Sequence, residues 1–139
     1  MVLADGQGIP LGIHLSPANI NEVQLAEPTL KEVAVPRAGP GRPKQNPERI
    51  IADRGYDCRP LWESFKARGI ELIVPHLRTR KNCFQDGRCL RRYKRRWIIE
   101  RTNAWLHAFR RLVTRYEYKL ELYRAFVHIA CILIVLRQF

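Results

Sequence analysis

Acidic side chains are scarce in this sequence: 13 Asp and Glu stand against 25 Lys and Arg, a formal charge of +12. The resulting pI near 10.2 points to polyanionic partners, namely DNA, RNA or an anionic membrane. Also lacking is any CxxC pair among Cys58, Cys83, Cys89 and Cys131. Cys83 and Cys89 with His76 nearby follow no recognised zinc-ligand spacing, and Cys131 sits in an apolar run, where a free thiol packs as a small hydrophobe. No apolar run reaches the roughly 20 residues of a membrane span. The nearest candidate, residues 120–136, is interrupted by Glu121, Arg124 and His128 and reads as a buried terminal helix. The opening Met1–Ala4 run is too short for a secretory signal and lacks a basic flank. Reduced thiols and a cytoplasmic location are therefore the default expectation. There is no internal repeat.

What is present fits one compact domain: 139 residues, 46% of them hydrophobic. The positive charge is concentrated. Residues 78–119 hold 14 Lys or Arg and 3 Asp or Glu, which leaves the rest of the chain close to neutrality. Such clustering predicts a localised binding face.

Residues 1–35 read as a hairpin and a helix. Met1–Ala4 and Ile9–Leu15 are short apolar segments joined by Asp5-Gly6-Gln7-Gly8, a hairpin turn signal. Asn19 or Asn21 can cap a helix running to about Val33. Residues 36–48 form a basic Pro/Gly loop, expected to be mobile, with four prolines between Pro36 and Pro47. Residues 49–75 read as strand, helix, strand, with Pro60 in the first helical turn and Gly69 closing the helix, which suggests a parallel α/β unit. A polar basic loop spans residues 78–88. Two helices then occupy residues 89–115 and most of 119–136. The fold class expected is α/β: a small mixed sheet with flanking helices.

Two carboxylates stand out. Asp53 lies where the strand at residues 49–52 gives way to a turn, and ligands of open α/β sheets gather at such strand ends. A turn-forming role ahead of Gly55 is the plainer alternative. Glu100 is nearly alone in a basic stripe, because Tyr93, Arg96, Glu100, Asn103, His107 and Arg111 share one helical face. Ile98, Trp105, Leu106, Phe109, Leu112 and Val113 fall on the opposite, core-directed face. Glu100 could simply pair with Arg96, but Arg96 is N-terminal to it, the weaker order for an i,i+4 pair. A lone carboxylate among phosphate-binding side chains suits a place where metal ions meet a nucleic-acid backbone.

The segment Ile50-Ile51-Ala52-Asp53-Arg54-Gly55-Tyr56-Asp57 resembles the "ADxGYD" motif around the second catalytic aspartate of IS4/IS5-superfamily insertion-sequence transposases. Tyr93, Arg96 and Glu100, within the segment from Arg92 to Leu106, match that family's final signature, Y-x2-R-x3-E-x6-K. Phe109-Arg110-Arg111-Leu112-Val113-Thr114-Arg115-Tyr116-Glu117 resembles the IS5-type continuation. So does the opening Asp5-Gly6-Gln7-Gly8-Ile9-Pro10-Leu11, followed by Ser16-Pro17-Ala18-Asn19. The resemblance covers almost the whole chain.

It implies an RNase H-like fold in which three acidic residues bind two divalent ions, Mg²⁺ or Mn²⁺, for DNA cleavage and strand transfer. Two metals about 4 Å apart serve such chemistry by activating the attacking oxygen and stabilising the leaving one. By resemblance, Asp53 and Glu100 are the second and third carboxylates, both catalytic and metal-binding. Tyr93, Arg96, Arg92, Asn103, His107, Arg110 and Arg111 are the expected DNA-binding set, and the implied partner is double-stranded DNA, as element ends and target. His107 departs from the signature, which often has lysine there. Asn21-Glu22 also replaces the usual His-Asp or Asn-Asp pair.

A third departure concerns the first aspartate, which in the family precedes the hairpin. Asp5 instead matches a non-catalytic turn position, so the first strand and its aspartate are expected to be missing. The chain alone is then expected to be inactive and marginally stable or aggregating. A remnant, a misassigned start or the downstream half of a frameshifted pair would each produce this, with self-association or an upstream-encoded half as partner. The rival reading is a non-catalytic, basic nucleic-acid-binding protein.

Overall fold

In the computed structural model, which describes residues 1–83 and 87–138, two small sheets and five α-helices form two adjoining cores. Phe84, Gln85 and Asp86 of the expected basic loop lie outside the described residues.

Strands β1 (Val2–Ala4) and β2 (Pro10–Ile13) pair antiparallel, with Val2 opposite Ile13 and Leu3 opposite Gly12. The expected turn joins them. Asp5 Oδ1 accepts the Gln7 and Ile9 amides at 2.8 and 2.9 Å, and Gly8 takes a left-handed φ of 86°. Only glycine enters that region without strain. Helix α1 (Glu22–Lys31) starts at Asn21, whose side chain accepts the Val23 amide at 3.0 Å. It packs closely on β2: a Cβ at Gly12 would stand 3.0 Å from the Thr29 carbonyl. The basic Pro/Gly loop carries a single bridge, Val35 to Lys44.

Strands β3 (Arg49–Ile51) and β4 (Glu71–Ile73) pair in parallel, Ile50 opposite Leu72, across helix α2 (Arg59–Ala67). Pro60 sits in the first turn of α2. Gly69, at φ 73°, ends it, while the Ile70 amide reaches back to the Phe65 carbonyl at 2.9 Å. That is the Schellman closure a C′ glycine permits. Leu61 and Phe65 of α2, Leu72 of β4 and Ala26 and Leu30 of α1 fill the first core.

The single mixed sheet expected from the sequence is instead two separate two-stranded sheets. Between them lies a groove of about 420 Å³, lined by Val2, Leu3 and Ala4 on β1, Ile50 and Ile51 on β3, and Ile98 and Ile99. Within the described sheets, β1 and β3 each have one unpaired edge, so no ladder spans the groove.

The expected helix over residues 89–115 is also divided. Residues Cys89–Arg96 are 3₁₀, α3 covers Trp97–His107 and α4 covers Arg110–Val113. Like charges four apart, Arg91 with Arg95 and Arg92 with Arg96, oppose α-helical winding in the first part. Phe109 adopts an extended backbone, φ −87° and ψ 102°, which ends α3 and lets its ring pack with Leu112 beside Leu106 and Ala130. Ile98 and Leu106 are buried as expected, but Val113 is 62% exposed, contrary to its expected core position. The break at Phe109 takes Val113 out of the register that placed it on the core face.

Helix α5 (Leu120–Leu136) buries Val127, Ala130 and Ile134, one face only. The expectation of a buried helix therefore fails on the other faces, where Leu122, Ile129, Ile132 and Leu136 are more than half exposed. Among the described residues, no helix is long and apolar enough to cross a membrane.

Candidate active site

Asp53 lies two residues beyond the end of β3, and its Oδ1 accepts the Arg54 amide at 2.7 Å, capping the 3₁₀ turn Arg54–Tyr56. The turn-forming role is thus real. It does not exhaust the side chain, because Oδ1 also accepts the Tyr93 hydroxyl at 3.1 Å. The Arg54 amide, then Tyr93 and Arg96, hold the Asp53 carboxyl below its ordinary range despite some desolvation. Burial, and then the Asp53 carboxylate, raise the pKa of Tyr93, which keeps its hydroxyl a donor.

Arg96 joins the two sequence-predicted carboxylates. Its Nη2 lies 2.6 Å from Glu100 Oε1 and its Nη1 lies 3.9 Å from Asp53 Oδ2. The guanidinium also stands 5.9 Å from the centre of the Tyr93 ring. Asp53, Tyr93, Arg96 and Glu100 therefore form one cluster, drawn from the end of β3, the 3₁₀ segment and the first turn of α3. Its carboxylates stay open to solvent, at 61% and 56% exposure.

The hairpin turn positions Glu100 by receiving α3 and the end of the 3₁₀ segment that leads into it. Thr102 Oγ1 donates to the Gly8 carbonyl at 2.7 Å, Arg95 donates to the Gly6 carbonyl at 3.1 Å, and Arg101 donates to the Gln7 carbonyl. The Arg101 guanidinium lies between the Trp97 and Trp105 rings, 4.9 Å from each centre. Thr102 is fully buried. Its part was not legible in the sequence, where the residue is one threonine in a basic helix.

The remaining predicted residues are dispersed. Arg92 faces Glu71, 4.0 Å away, at the start of β4. Asn103 and His107 are exposed on α3, and Arg110 is exposed on α4. Arg111 is tied up with Glu117 at 2.9 Å. The helical stripe inferred from the sequence thus holds from Arg96 to His107 and is broken before Arg111.

Asp57 was quoted in the motif but given no role. Its side chain is 2% exposed and accepts from the Leu77 amide at 2.7 Å and from Arg80 Nε at 2.8 Å, with His76 Nδ1 at 3.1 Å. Burial would raise its pKa, but Arg80, the Leu77 amide and His76 together leave it lowered. This buried carboxylate fastens the segment after β4 beneath the Asp53 turn. Of the residues considered for zinc, His76 turns to Asp57, while Cys89 Sγ donates to Glu71 at 2.9 Å. Among the described residues, no three His, Cys, Asp or Glu side chains gather as a metal site.

The chain is similar to known proteins over almost its whole length. Residues 1–135 match the family described as "Transposase DDE domain". The chain is 38% identical over 133 residues to a Burkholderia cepacia protein assigned as a transposase for insertion sequence element IS402. That match covers 96% of this chain and 60% of the relative, so the chain spans less than two thirds of the relative's length. No solved structure matches it significantly.

Proposed function

Because the chain belongs to the transposase DDE domain family, we propose that it supplies part of the catalytic centre of an insertion-sequence transposase. The centre performs metal-dependent cleavage and strand transfer on double-stranded DNA, the element ends and target, in the bacterial cytoplasm at the nucleoid. The IS4/IS5-superfamily, IS5-like assignment rests on the motifs around Asp53 and Glu100. One observation carries the chemical reading: Asp53 and Glu100, distant in sequence, converge on the single cationic group of Arg96.

That convergence fits a divalent cation. Carboxylate oxygens are the hard donors that Mg²⁺ and Mn²⁺ prefer, and Mg²⁺ commonly takes only one or two carboxylates together with waters and substrate phosphate. Asp53 and Glu100 would hold the ion, which when bound supplies charge stabilisation for phosphodiester displacement. The residues around them orient the site. Tyr93 and the Arg54 amide fix the Asp53 carboxylate, and Arg96 neutralises the pair and can grip a phosphate through its planar fork. Arg92, Asn103, His107, Arg110 and Arg111, dispersed over the 3₁₀ segment, α3 and α4, are the further residues proposed to contact DNA.

Two carboxylates are fewer than a two-metal centre needs. The groove between the sheets suggests where the third arises. An extended strand inserted between β1 and β3 would pair with both open edges and unite the sheets into one mixed sheet, the RNase H-like arrangement. Polypeptide outside this chain, such as an upstream-encoded half, would supply that strand and its aspartate.

Titration calorimetry with Mn²⁺ on the wild-type chain, Asp53→Asn and Glu100→Gln tests the reading. Weaker Mn²⁺ binding in both variants is expected. Affinity indifferent to both substitutions, with DNA binding retained, would favour the non-catalytic nucleic-acid-binding alternative.

A further inference from the structure

The tip joining α4 to α5, residues 114–119, inverts the usual placement of polar and apolar groups. Tyr116 and Tyr118 are 75% and 96% exposed. The Glu117 side chain between them keeps only 6% of its surface. Arg111 holds Glu117 Oε1 at 2.9 Å, and the Tyr116 amide donates to Oε2 at 3.3 Å. Arg115 donates to the Glu117 and Tyr118 carbonyls at 2.8 and 3.0 Å.

The same arginines fasten the tip to α5. Arg111 lies 5.2 Å from the Phe126 ring centre and Arg115 lies 5.7 Å from that of Tyr123, whose hydroxyl donates to the Leu112 carbonyl at 3.0 Å. The Glu117 carboxylate is thus covered by Arg111, itself 62% exposed, while two phenol rings stand in water. Burying an aromatic ring is among the larger favourable terms in folding, so this display does nothing for stability. An open hollow of about 700 Å³ adjoins Tyr116, lined with it by Arg110, Arg111, Val113 and Thr114. Arg110 is exposed there, and its side chain has no hydrogen-bond or ion-pair partner among the described residues.

We propose that this tip is a stacking site for unpaired nucleobases, in which Tyr116 and Tyr118 take base faces and Arg110 takes the adjoining phosphate. It rests on the DNA-binding reading above and names a part of it. Stacking requires a base whose face is open, which a closed duplex withholds and an unpaired or extruded nucleotide offers. Charge selects nucleic acid over a second copy as the occupant: each chain carries +12, so two such surfaces repel, whereas a polyanion is drawn in.

Fluorescence anisotropy with a labelled oligothymidine strand, an abasic strand of equal length and charge, and a fully paired duplex tests the proposal. The wild-type chain should bind oligothymidine more tightly than the abasic strand. Tyr116→Ala with Tyr118→Ala should weaken oligothymidine binding by on the order of tenfold per ring and leave duplex binding unchanged. Tyr116→Phe with Tyr118→Phe should keep wild-type affinity, because the ring remains. Arg110→Ala should weaken the thymidine and abasic strands alike.

Equal wild-type affinity for the thymidine and abasic strands would overturn the proposal, and that comparison needs no variant to fold. An unaltered single-strand affinity in the double alanine variant would do the same. Duplex binding without preference for open bases removes this inference alone. Absence of binding to all three DNAs removes the DNA-binding reading with it.

Discussion

Asp57 and Asp53 show how environment separates two carboxylates only a turn apart. Asp57 is enclosed and satisfied by Leu77, Arg80 and His76, whereas Asp53 is mostly open and shares its charge with Tyr93 and Arg96. Removing the charge of Asp57 takes from this buried site the carboxylate that accepts from Arg80, the Leu77 amide and His76. Asp57→Asn should therefore cost on the order of 3 kcal/mol, read from urea unfolding, while Asp53→Asn should cost far less. The pH dependence follows from the lowered pKa of Asp57. Its contribution is complete above the unfolded value of about 4 and is lost as pH falls through the lower folded value. Acid titration of the melting temperature should show a steeper decline for wild type than for Asp57→Asn. Parallel curves would contradict this.

At the scale of elements, the hairpin turn is the seat of α3. Three successive carbonyls, of Gly6, Gln7 and Gly8, accept side chains of that helix (Arg101, Thr102) and of the 3₁₀ segment before it (Arg95). Gly8→Ala would force a left-handed φ on alanine and bring its Cβ within 3.1 Å of Thr102 Oγ1. A loss of about 1–3 kcal/mol is expected. Thr102→Val keeps the shape of the side chain but leaves the buried Gly8 carbonyl short of its donor, at about 1–2 kcal/mol. Both variants should also weaken Mn²⁺ binding, since they loosen the helix that carries Glu100. A destabilised variant with wild-type Mn²⁺ affinity would show that the hairpin seat and the carboxylate cluster are independent.

For the whole molecule, the distribution of charge and the open groove govern behaviour. A protein that neutralises several phosphates releases counterions, so DNA affinity should fall by on the order of a thousandfold or more between 50 and 200 mM salt if six or more contacts form. An affinity insensitive to salt would exclude the basic face as the binding surface. The two unpaired strand edges around one groove are an opening for aggregation. Hydrogen exchange should find the amides of β1 and β3 less protected than those buried within α2. Uniform protection, with a cooperative melt of a soluble monomer, would count against marginal stability of this chain alone.

Much of this was legible before any tertiary contact was known, because it depends on residues within a turn or two of one another. The Asp5–Gly8 hairpin, a helix cap at Asn19 or Asn21, the Pro60 and Gly69 boundaries and the parallel strand–helix–strand unit all follow from local backbone preference and short-range periodicity. The motif residues Asp53, Tyr93, Arg96 and Glu100 were identifiable through resemblance to a family's signatures, whereas their positions alone left a turn-forming aspartate and a solvated glutamate as alternatives. The sequence could not determine which groups meet across the chain. Burial of Asp57, seating of Thr102 on the hairpin, the Phe109 break and enclosure of Glu117 depend on packing between segments far apart in sequence. No local pattern encodes those distances. The same holds for the two separate sheets: alternation marks a strand, but only the surrounding structure decides whether each edge finds a partner.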